Sequence, residues 1–501
     1  MIFRDWLKEL DYTLLQGSVD VETEDVIYDS RKAAPGKVFV AMKGIRVDGH
    51  SFIPQVLKAG VRVLVTERPV EEELKNSGLS EDELKQVTVV MVEEGRHALA
   101  LLSAARFDHP AKKLVMIGVT GTKGKTTTTH MIRAILLAAG KKVGMIGTTG
   151  TVIGYVVTPT LNTTPESYEL HQAFAQMVEA GCEYAVMEVS SQGIKMHRTD
   201  GLYFNYAIFT NISPDHIGPG EHADFEEYLY YKTRLLNMCG IGLVNKDDEH
   251  APQIIKAANC ELYTYSEESK EADFVASDIR YVSQPDFVGT EFHISGKYDM
   301  EVRLGIPGLF NVVNALAAVS VCSFLGLDQA RISHALENIR VNGRMEIVYT
   351  SERCTVLVDY AHNAVSMESL LSTLRDYKPK RLVCVFGCGG NRSKDRRYSM
   401  GEIGGKMADL SIITAGNSRY EKVEDIIADI RGSIEKTGGK FIEIPDRREA
   451  IRYSILHAQP GDMVAVIGKG HEDYQEINGV RHHFLDREVI EETVKELGEK
   501  A

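Results

Sequence analysis

The feature that most constrains the fold is a β-strand pattern that runs into a glycine-rich turn and then into a helix. Residues 113–119 (KLVMIGV) form the strand pattern, residues 121–126 (GTKGKT) form the turn, and a helical pattern continues to Ala139. Gly140 ends the helix, and a second strand pattern covers residues 142–146. Strand, helix and strand in this order predict a βαβ unit, and therefore an α/β protein with a parallel sheet.

The turn predicts a nucleotide site. Successive backbone N–H groups and the N-terminus of a helix can surround phosphate oxygens. Lys125 would then meet the β- and γ-phosphates, and the Thr126 hydroxyl would hold Mg²⁺. An ordinary glycine turn is the alternative, because the upstream glycine is Gly118 and the strict phosphate-loop spacing is not met.

Length, charge and cysteine usage narrow the class of protein. A chain of 501 residues should form two to four domains. The net charge of -14, without a stripe of Lys or Arg, argues against general nucleic-acid binding. Seven scattered cysteines predict reduced core residues, and no run approaches the ~20 apolar residues of a membrane span. We expect a cytoplasmic, monomeric protein that binds neither nucleic acid nor membrane.

Three α/β domains are predicted from the pattern of elements. Residues 1–108 hold short β-rich runs bounded by glycine, residues 109–340 hold the phosphate loop on a mostly parallel sheet, and residues 341–501 predict a second, Rossmann-like sheet. The strand patterns outside the βαβ unit cover residues 38–42, 61–66, 184–187, 207–209, 355–358, 381–386, 410–414 and 463–467.

Two segments at predicted strand ends give the turn a context. They are residues 187–191 (MEVSS) and 210–216 (TNISPDH), and together with the phosphate loop they resemble the nucleotide-binding core of the Mur ligases. Taken singly, Glu188 could be an exposed carboxylate and His216 a structural residue. The resemblance implies ATP as the nucleotide, bound in this part of the chain by Gly121, Thr122, Lys123, Gly124, Lys125, Thr126 and Thr127.

The resemblance also implies a pair of metal ions. Glu188 and His216 would bind a second Mg²⁺, while Thr126 would contact the first. Lys232 would be N-carbamylated, because Mg²⁺ prefers oxygen ligands and an unmodified amine could not support the metal pair. A solvated helix lysine is the alternative interpretation of Lys232.

Later motifs resemble the rest of the ATP site in this family. They are residues 308–314 (GLFNVVN), 343–346 (GRME) and 358–363 (VDYAHN). The resemblance implies that Asn311 approaches the adenine, Arg344 the phosphates and Asp359 the ribose, with His362 nearby. For Asn311, an ordinary helix start with asparagine caps is the alternative.

The N-terminal segments 28–31 (YDSR), 35–41 (PGKVFVA) and 48–53 (DGHSFI) resemble the UDP-binding domain of one branch of the family. Ser30 would contact the uracil end of a UDP-linked substrate. Thr163, Thr164, Ser190 and Arg198 are the matching positions around a muramyl dipeptide, whose carboxylate and sugar oxygens suit hydroxyls and one cation. A turn rich in Thr and Pro is the alternative for residues 163–165.

The C-terminal segments 386–392 (FGCGGNR) and 468–475 (GKGHEDYQ) resemble those of the third-residue ligases. The amino-acid selector departs from the Asp-Asn-Pro-Arg of diaminopimelate-adding members, since residues 416–419 read GNSR. An arginine there can pair with the distal carboxylate of meso-diaminopimelate, whereas a lysine pocket should avoid a guanidinium. Diaminopimelate is favoured, and L-lysine or another amino acid is the alternative. The predicted amino-acid-binding residues are Arg392, Gly416, Asn417, Arg419, Gly468 and Glu472.

The resemblance implies an ATP-dependent acid–amino-acid ligase. It would add the third amino acid to UDP-N-acetylmuramoyl-L-alanyl-D-glutamate through an acyl phosphate, in peptidoglycan precursor synthesis. Lys125, Glu188, His216, Lys232 and Arg344 would be the catalytic residues. Gln192, Asn342 and Asn391 replace a His, a Pro and an Asp of the family pattern. These departures keep a divergent or silent paralogue as an alternative. A phosphate-loop switch or motor is another, and so are a folate polyglutamate ligase and a cyanophycin synthetase domain, which share the phosphate loop but lack the N-terminal UDP region and the 468–475 segment.

Overall fold

The computed structural model describes residues 1–44 and 47–498. Its contacts divide the chain into two compact units, residues 1–265 and 266–501. Both units contain parallel strands flanked by helices, which confirms the predicted α/β class. Within the described residues, no helix combines the length and apolar character needed to cross a bilayer. The domain boundaries after residues 108 and 340 remain predictions.

The first unit begins with a five-stranded sheet. Its strands are β1 (Thr13–Gln16), β2 (Asp25–Ile27), β3 (Lys37–Val40), β4 (Val63–Thr66) and β5 (Thr88–Met91). Their order is β1-β5-β4-β3-β2, and all neighbours are parallel except β1 and β5. Consecutive residues such as Val38 and Phe39 point to opposite faces of the sheet, so a hydrophobic core forms on each face. The helices are α1 (Phe3–Trp6), α2 (Ile53–Lys58), α3 (Glu71–Lys75), α4 (Glu81–Leu84) and α5 (Gly95–Arg106).

A larger sheet in the first unit holds the phosphate loop. Its strands are β6 (Val115–Thr120), β7 (Val143–Gly147), β8 (Gly150–Ile153), β9 (Val156–Thr158), β10 (Tyr184–Glu188), β11 (Phe204–Phe209), β12 (Cys239–Asn245) and β13 (Glu261–Ser266). Their order is β13-β12-β11-β6-β10-β7-β8-β9, with parallel pairing from β13 to β7 and antiparallel pairing beyond it. The helices are α6 (Lys125–Ala138), α7 (Ser167–Glu179), α8 (Ser191–Lys195), α9 (Phe225–Thr233) and α10 (Ala251–Ala257).

The second unit begins with an antiparallel meander of β14 (Phe274–Gln284), β15 (Phe287–Gly296) and β16 (Met300–Leu304). Two helices pack on it, α11 (Leu309–Phe324) and α12 (Gln329–Glu337). The first of them is buried along most of its length, because nearly every residue from Val312 to Cys322 is apolar or small.

The rest of the second unit is a six-stranded sheet with a short hairpin. The strands are β17 (Glu346–Thr350), β18 (Cys354–Asp359), β19 (Arg381–Phe386), β20 (Leu410–Ile413), β21 (Phe441–Glu443) and β22 (Asp462–Ile467), followed by the hairpin strands β23 (Tyr474–Ile477) and β24 (Val480–His483). The order is β17-β18-β22-β19-β20-β21, and only β17 is antiparallel to its neighbour. The helices are α13 (Ala364–Asp376), α14 (Asp395–Met407), α15 (Val423–Thr437), α16 (Arg447–Leu456) and α17 (Asp486–Glu496).

Candidate functional site

The phosphate loop lies where neighbouring parallel strands end. Strand β6 leads into the loop, and Glu188 is the last residue of β10, paired in register with Val119 of β6. On the other side of β10, strand β7 ends at Gly147, where an added Cβ would come within 2.2 Å of a Glu188 carboxylate oxygen. The sheet therefore gathers these ends at one edge, as open α/β sheets do at ligand sites.

Two glycines fix the path of the loop. Gly121 has a φ of 144°, and a Cβ there would lie 1.9 Å from the Thr210 hydroxyl oxygen. Gly124 has a φ of 86° and is the residue before helix α6. Only glycine takes such backbone angles without strain, and the first position also lacks room for any side chain. The loop thus reaches the N-terminus of α6 in the geometry expected for phosphate binding.

Thr126 and Glu188 meet directly beside the loop. The Thr126 hydroxyl lies 3.0 Å from both carboxylate oxygens of Glu188, and both side chains are buried. The backbone N–H of Thr148, just beyond β7, donates to the same carboxylate at 2.9 Å. Lys125 folds back over the loop and donates to the carbonyl oxygens of Gly121 and Thr122. The neighbouring Thr127 is also buried.

Lys232 is buried against the same loop. Helix α9 begins with the Asp224 side chain accepting from the Glu227 N–H, and Lys232 lies in its last turn. Its ammonium nitrogen donates to the Gly121 carbonyl at 2.8 Å and lies 4.6 Å from the Tyr228 ring centroid. Burial, with a further contribution from the positive charge of Lys125, holds the pKa of Lys232 well below its usual range.

His216 lies at the exposed margin of this group. Its Nδ1 is 3.0 Å from a carboxylate oxygen of Glu221, and its ring centroid is 6.2 Å from that of Tyr228. Tyr228 in turn shares a hydrogen bond of 3.1 Å with the Thr122 hydroxyl. Among the predicted residues, the structure thus brings Lys125, Thr126, Glu188 and Lys232 to the loop, while His216 reaches it through Tyr228.

The predicted substrate residues of the first unit form a second hydrogen-bonded group. The Thr164 hydroxyl donates to the Glu188 carbonyl and accepts from the Ser190 N–H, and the Arg198 guanidinium donates to the Thr164 carbonyl. The Thr163 hydroxyl lies 3.1 Å from that of Thr148. These four predicted residues are therefore linked to the end of β10.

Ser30 lies elsewhere in the first unit. It starts a short 3₁₀ helix, Ser30–Lys32, which the Asp29 side chain caps by accepting from the Arg31 N–H. A cavity of about 200 Å³ opens beside this segment and is lined by Asp25, Val26, Ile27, Tyr28, Lys32, Lys37 and Tyr168.

In the second unit, two of the predicted ATP-binding residues, Asn311 and Asp359, have side chains that form hydrogen bonds with backbone groups. The Asn311 amide donates to the Pro307 carbonyl at 2.7 Å at the start of α11. The Asp359 carboxylate accepts from the N–H groups of Met345 and Ala361 at 2.8 and 2.7 Å. The close packing around Asp359 raises the pKa of its carboxyl against the effect of those N–H groups.

Tyr360 joins Arg344 to the predicted amino-acid residues. The Arg344 guanidinium lies 4.8 Å from the Tyr360 ring centroid, and the Tyr360 hydroxyl is 3.4 Å from a Glu472 carboxylate oxygen. His362 turns its Nδ1 towards the Tyr360 carbonyl at 2.9 Å. The Asn417 amide donates to the other Glu472 oxygen at 3.0 Å.

Arg419 of the selector is held by one backbone carbonyl and lies near one carboxylate. It has a φ of 52°, and its guanidinium donates to the Gly390 carbonyl at 2.9 Å and lies 3.6 Å from Glu476. Gly416 accepts through its carbonyl from the Gln475 amide, and the Gly468 N–H donates to the Asp359 carbonyl. Arg392 is exposed.

Some residues at these sites were not predicted. Thr148 and Tyr228 contact the phosphate-loop group, and Tyr360 and Lys469 contact Glu472. The signal for Thr148 was available, because Gly147-Thr148-Thr149 follows a strand that runs parallel to β10. Lys469 lies in the 468–475 segment that the sequence singled out, whereas Tyr228 carried no such signal, since an aromatic residue on a helix is ordinary in any protein.

Three family profiles match the chain in order. "Mur ligase family, catalytic domain" matches residues 23–107, "Mur ligase middle domain" matches residues 119–322, and "Mur ligase, glutamate ligase domain" matches residues 343–470.

Two similar proteins are both called UDP-N-acetylmuramoyl-L-alanyl-D-glutamate--2,6-diaminopimelate ligase. The one from Caldanaerobacter subterraneus subsp. tengcongensis is 38% identical over 498 residues, which is 98% of each chain. The one from Clostridium tetani is 38% identical and covers 99% of this chain and 100% of its own.

Solved structures of Mur ligases are also similar to this chain. A structure of an enzyme with the same name superposes with a TM-score of 0.72 at 30% identity, covering 95% of this chain and 96% of that one. A MurF ligase from Thermotoga maritima, solved in complex with ADP, superposes with a TM-score of 0.58 at 19% identity over 95% and 97% of the two chains. At that identity the second likeness concerns the fold.

Proposed function

The chain belongs to the Mur ligase family, and we propose that it joins meso-diaminopimelate to UDP-N-acetylmuramoyl-L-alanyl-D-glutamate with ATP. The product would be a peptidoglycan precursor with its third amino acid in place. Relatives named for this reaction match nearly the full length of the chain. We further propose that the protein acts in the cytoplasm as a monomer.

The observation that carries this proposal is the group formed by Thr126, Glu188 and Lys232 around Gly121. A hydroxyl and a carboxylate 3.0 Å apart present the oxygen donors that Mg²⁺ prefers. The donor set therefore fits a magnesium-bound nucleotide. Thr126 would contact one Mg²⁺, and Glu188 with His216 at the exposed margin would bind a second; the bound ions would offset negative charge on the phosphates.

The environment of Lys232 supports its proposed carbamylation. Carbon dioxide adds to an uncharged amine, and burial keeps the pKa of this lysine low, so the uncharged form is accessible. Addition to the nitrogen would replace a buried cation near Lys125 with an anion. That change would remove a repulsion between two lysines and provide another oxygen ligand.

The chemistry follows from the weakness of a carboxylate as an acyl donor. The γ-carboxylate of the D-glutamyl residue attacks the γ-phosphorus of ATP, ADP leaves, and an acyl phosphate remains. The amine of the incoming amino acid attacks the acyl carbon and loses a proton, and the C–O bond to phosphate breaks. In this proposal, Lys125 and Arg344 stabilise the transferred phosphoryl group by their charge.

The other assignments are part of the same proposal. Ser30, Thr163, Thr164, Ser190 and Arg198 would bind the UDP-linked substrate. Asn311, Asp359 and His362 would bind the nucleoside part of ATP. The loop residues Gly121, Thr122, Lys123, Gly124 and Thr127 would surround its phosphates.

The amino-acid site supports diaminopimelate over lysine. Arg419 presents a guanidinium that suits the distal carboxylate of diaminopimelate, and Glu472 presents a carboxylate for its distal ammonium. Two donors orient Glu472: the Asn417 amide at 3.0 Å and the Tyr360 hydroxyl at 3.4 Å. Lysine lacks the distal carboxylate, so its ε-ammonium would face the Arg419 guanidinium without a negative charge of its own to pair with it.

A panel of amino acids tests the proposal. Purified protein is given ATP, Mg²⁺ and UDP-N-acetylmuramoyl-L-alanyl-D-glutamate with each amino acid in turn, and the products are weighed by mass spectrometry. We expect kcat/KM for meso-diaminopimelate to exceed that for L-lysine by at least about tenfold, or ~1.4 kcal/mol. Arg419→Met should remove most of this preference, and Arg481→Met, a control at an exposed hairpin arginine, should keep it. Equal use of both amino acids by the unmodified protein would contradict the assignment.

A further inference from the structure

A cluster of two histidines and one aspartate lies in the first unit, outside the groups described above. His97 on helix α5 turns its Nδ1 to Oδ2 of Asp200 at 2.6 Å, and Nδ1 of His197 lies 2.8 Å from the same oxygen. The three ligand atoms lie within 4.8 Å of one another. The two imidazole rings do not stack, since their centroids are 6.3 Å apart and their planes are inclined at 78°. Both rings thus approach one carboxylate oxygen from different directions.

From this geometry we propose that His97, His197 and Asp200 bind a divalent transition metal ion, with Zn²⁺ as the best fit. Two imidazole nitrogens and one carboxylate oxygen are a ligand set that suits zinc, and three protein ligands leave a fourth position for water. In a tetrahedral site the ligand atoms stand roughly 3.4 Å apart, so the two nitrogen–oxygen distances need to open by under about 1 Å. All three side chains are partly exposed, which leaves a path for the ion and its water.

The backbone at His197 supports this assignment. His197 has a φ of 56°, a conformation that is uncommon for a residue with a side chain. This conformation is part of the turn in which the His197 and Asp200 side chains meet, three residues apart. Positive φ is common at the position that ends a helix, and here the end of helix α8 places the two potential ligands on one turn.

The bound ion would join two parts of the first unit. Helix α5 follows the last strand of the five-stranded sheet. His197 and Asp200 follow helix α8, which lies between strands β10 and β11 of the larger sheet. A second bridge runs alongside: Glu166 pairs with Arg96 at 3.4 Å and with Arg198 at 2.6 Å. Because Arg96 and Arg198 are the chain neighbours of the two histidines, the ion would also restrain Arg198. The metal site itself does not depend on the function proposed above.

Metal binding is tested on the full chain, untagged, dialysed against chelator and free of nucleotide. We expect Zn²⁺ to raise Tm by about 2 °C or more, saturating at one ion per chain. Co²⁺ in place of Zn²⁺ should give the visible absorption of a four- or five-coordinate ion, with the same stoichiometry. No rise in Tm and no such absorption would overturn the proposal and identify the cluster as a hydrogen-bonded trio.

Variants assign the site. His97→Asn, His197→Asn and Asp200→Asn should each lose the Zn²⁺-dependent rise in Tm and the Co²⁺ absorption. Asparagine is chosen at position 197 because it tolerates positive φ. His483→Asn is the matched control, since His483 is an exposed histidine that contacts a carboxylate, that of Glu488, at 2.7 Å, and it should keep both signals.

If the three variants respond to zinc as the unmodified protein does, the ion binds elsewhere, for example at a cysteine, and the proposal is wrong. The Co²⁺ spectrum of the unmodified protein decides the case should a variant not fold.

Discussion

Lys232 is buried by residues that are far from it in sequence, so its neighbours along the chain do not reveal its surroundings. In the sequence it is one lysine in a polar helix pattern, yet in the structure it is 2% exposed and bonded to the Gly121 carbonyl. The order of motifs was enough to single out Thr126 and Glu188, because both follow predicted parallel strands. Tyr228, which touches Thr122, Lys232 and His216, could not be found, since its link to the phosphate loop spans 106 residues of sequence.

Glu188→Gln should reduce kcat by at least about 100-fold while the protein stays folded. Glutamine keeps an oxygen for the Thr126 hydroxyl and the Thr148 N–H, but it removes the negative charge that would attract Mg²⁺. Phosphate release in the presence of both substrates measures the activity, and thermal unfolding measures the fold. Glu179→Gln, at an exposed helix end, is the control and should behave as the unmodified protein. Activity of Glu188→Gln within tenfold of the control would show that this carboxylate does not hold the ion.

Among the elements, the strands that the sequence predicts are largely buried ones, whereas strands exposed at every position were not predicted. The predicted strand 381–386 matches β19 in full, because a strand buried on both faces needs apolar residues, as residues 382–386 are. Strand β24 (Val480–His483) is exposed at every position, and β9 (Val156–Thr158) likewise, so neither shows an alternating apolar pattern. The antiparallel β14–β16 meander was also missed, as its long strands mix buried and exposed positions irregularly.

Helices α16 and α17 are joined by a buried ion pair that should matter for stability. Arg447 donates to both carboxylate oxygens of Asp486 at 2.7 and 2.6 Å, and both side chains are almost fully buried. Asp486→Asn would leave the arginine charge buried without its counter-ion, at a cost of about 3–5 kcal/mol in the free energy of unfolding. Urea unfolding measures this loss. Glu492→Gln breaks the exposed Arg448–Glu492 pair of the same two helices and should cost less than about 1 kcal/mol. Equal costs for the two variants would contradict the argument from burial.

Helices α14 and α15 are joined by a pair whose contribution should depend on pH. Burial alone would raise the pKa of Asp429, but hydrogen bonds from Arg397 and Lys394 outweigh it and lower the pKa. A carboxyl with a lowered pKa stabilises the fold above its unfolded pKa, and this contribution is lost as the pH falls. The unmodified protein should therefore be more stable than Asp429→Asn by about 1 kcal/mol at pH 7, and the gap should close towards pH 3.

Denaturant titrations at several pH values measure this difference between Asp429→Asn and the unmodified protein. Asp425→Asn, at an exposed position in the first turn of α15, is the matched control and should show a gap of under about 0.5 kcal/mol. A gap for Asp429→Asn that stays constant on acidification would mean that the ion pair is not its source.

For the whole molecule, the family could be predicted because its motifs are spread over nearly the entire chain in a fixed order. The chain carries a net charge of -14, whereas the proposed substrates are anions, so binding must depend on local cations such as Lys125, Arg198 and Arg344. Composition alone could not have located those cations. The proposed reaction draws on residues of both units, and it is therefore tested on the full chain.

The acyl-phosphate route predicts where one oxygen atom goes. If the γ-carboxylate of the D-glutamyl residue is labelled with ¹⁸O on both oxygens, one of them becomes the bridge to phosphorus when the carboxylate attacks ATP. Attack of the amine on the acyl carbon then breaks the C–O bond, so that oxygen leaves with the phosphate and the other stays in the new amide. Mass spectrometry should find one ¹⁸O in each phosphate formed and one in the peptide product. An unlabelled reaction in ¹⁸O water is the control and should leave the phosphate without label. Phosphate that instead takes its oxygen from water would mean that ATP is hydrolysed separately from ligation, as in a phosphate-loop switch or motor.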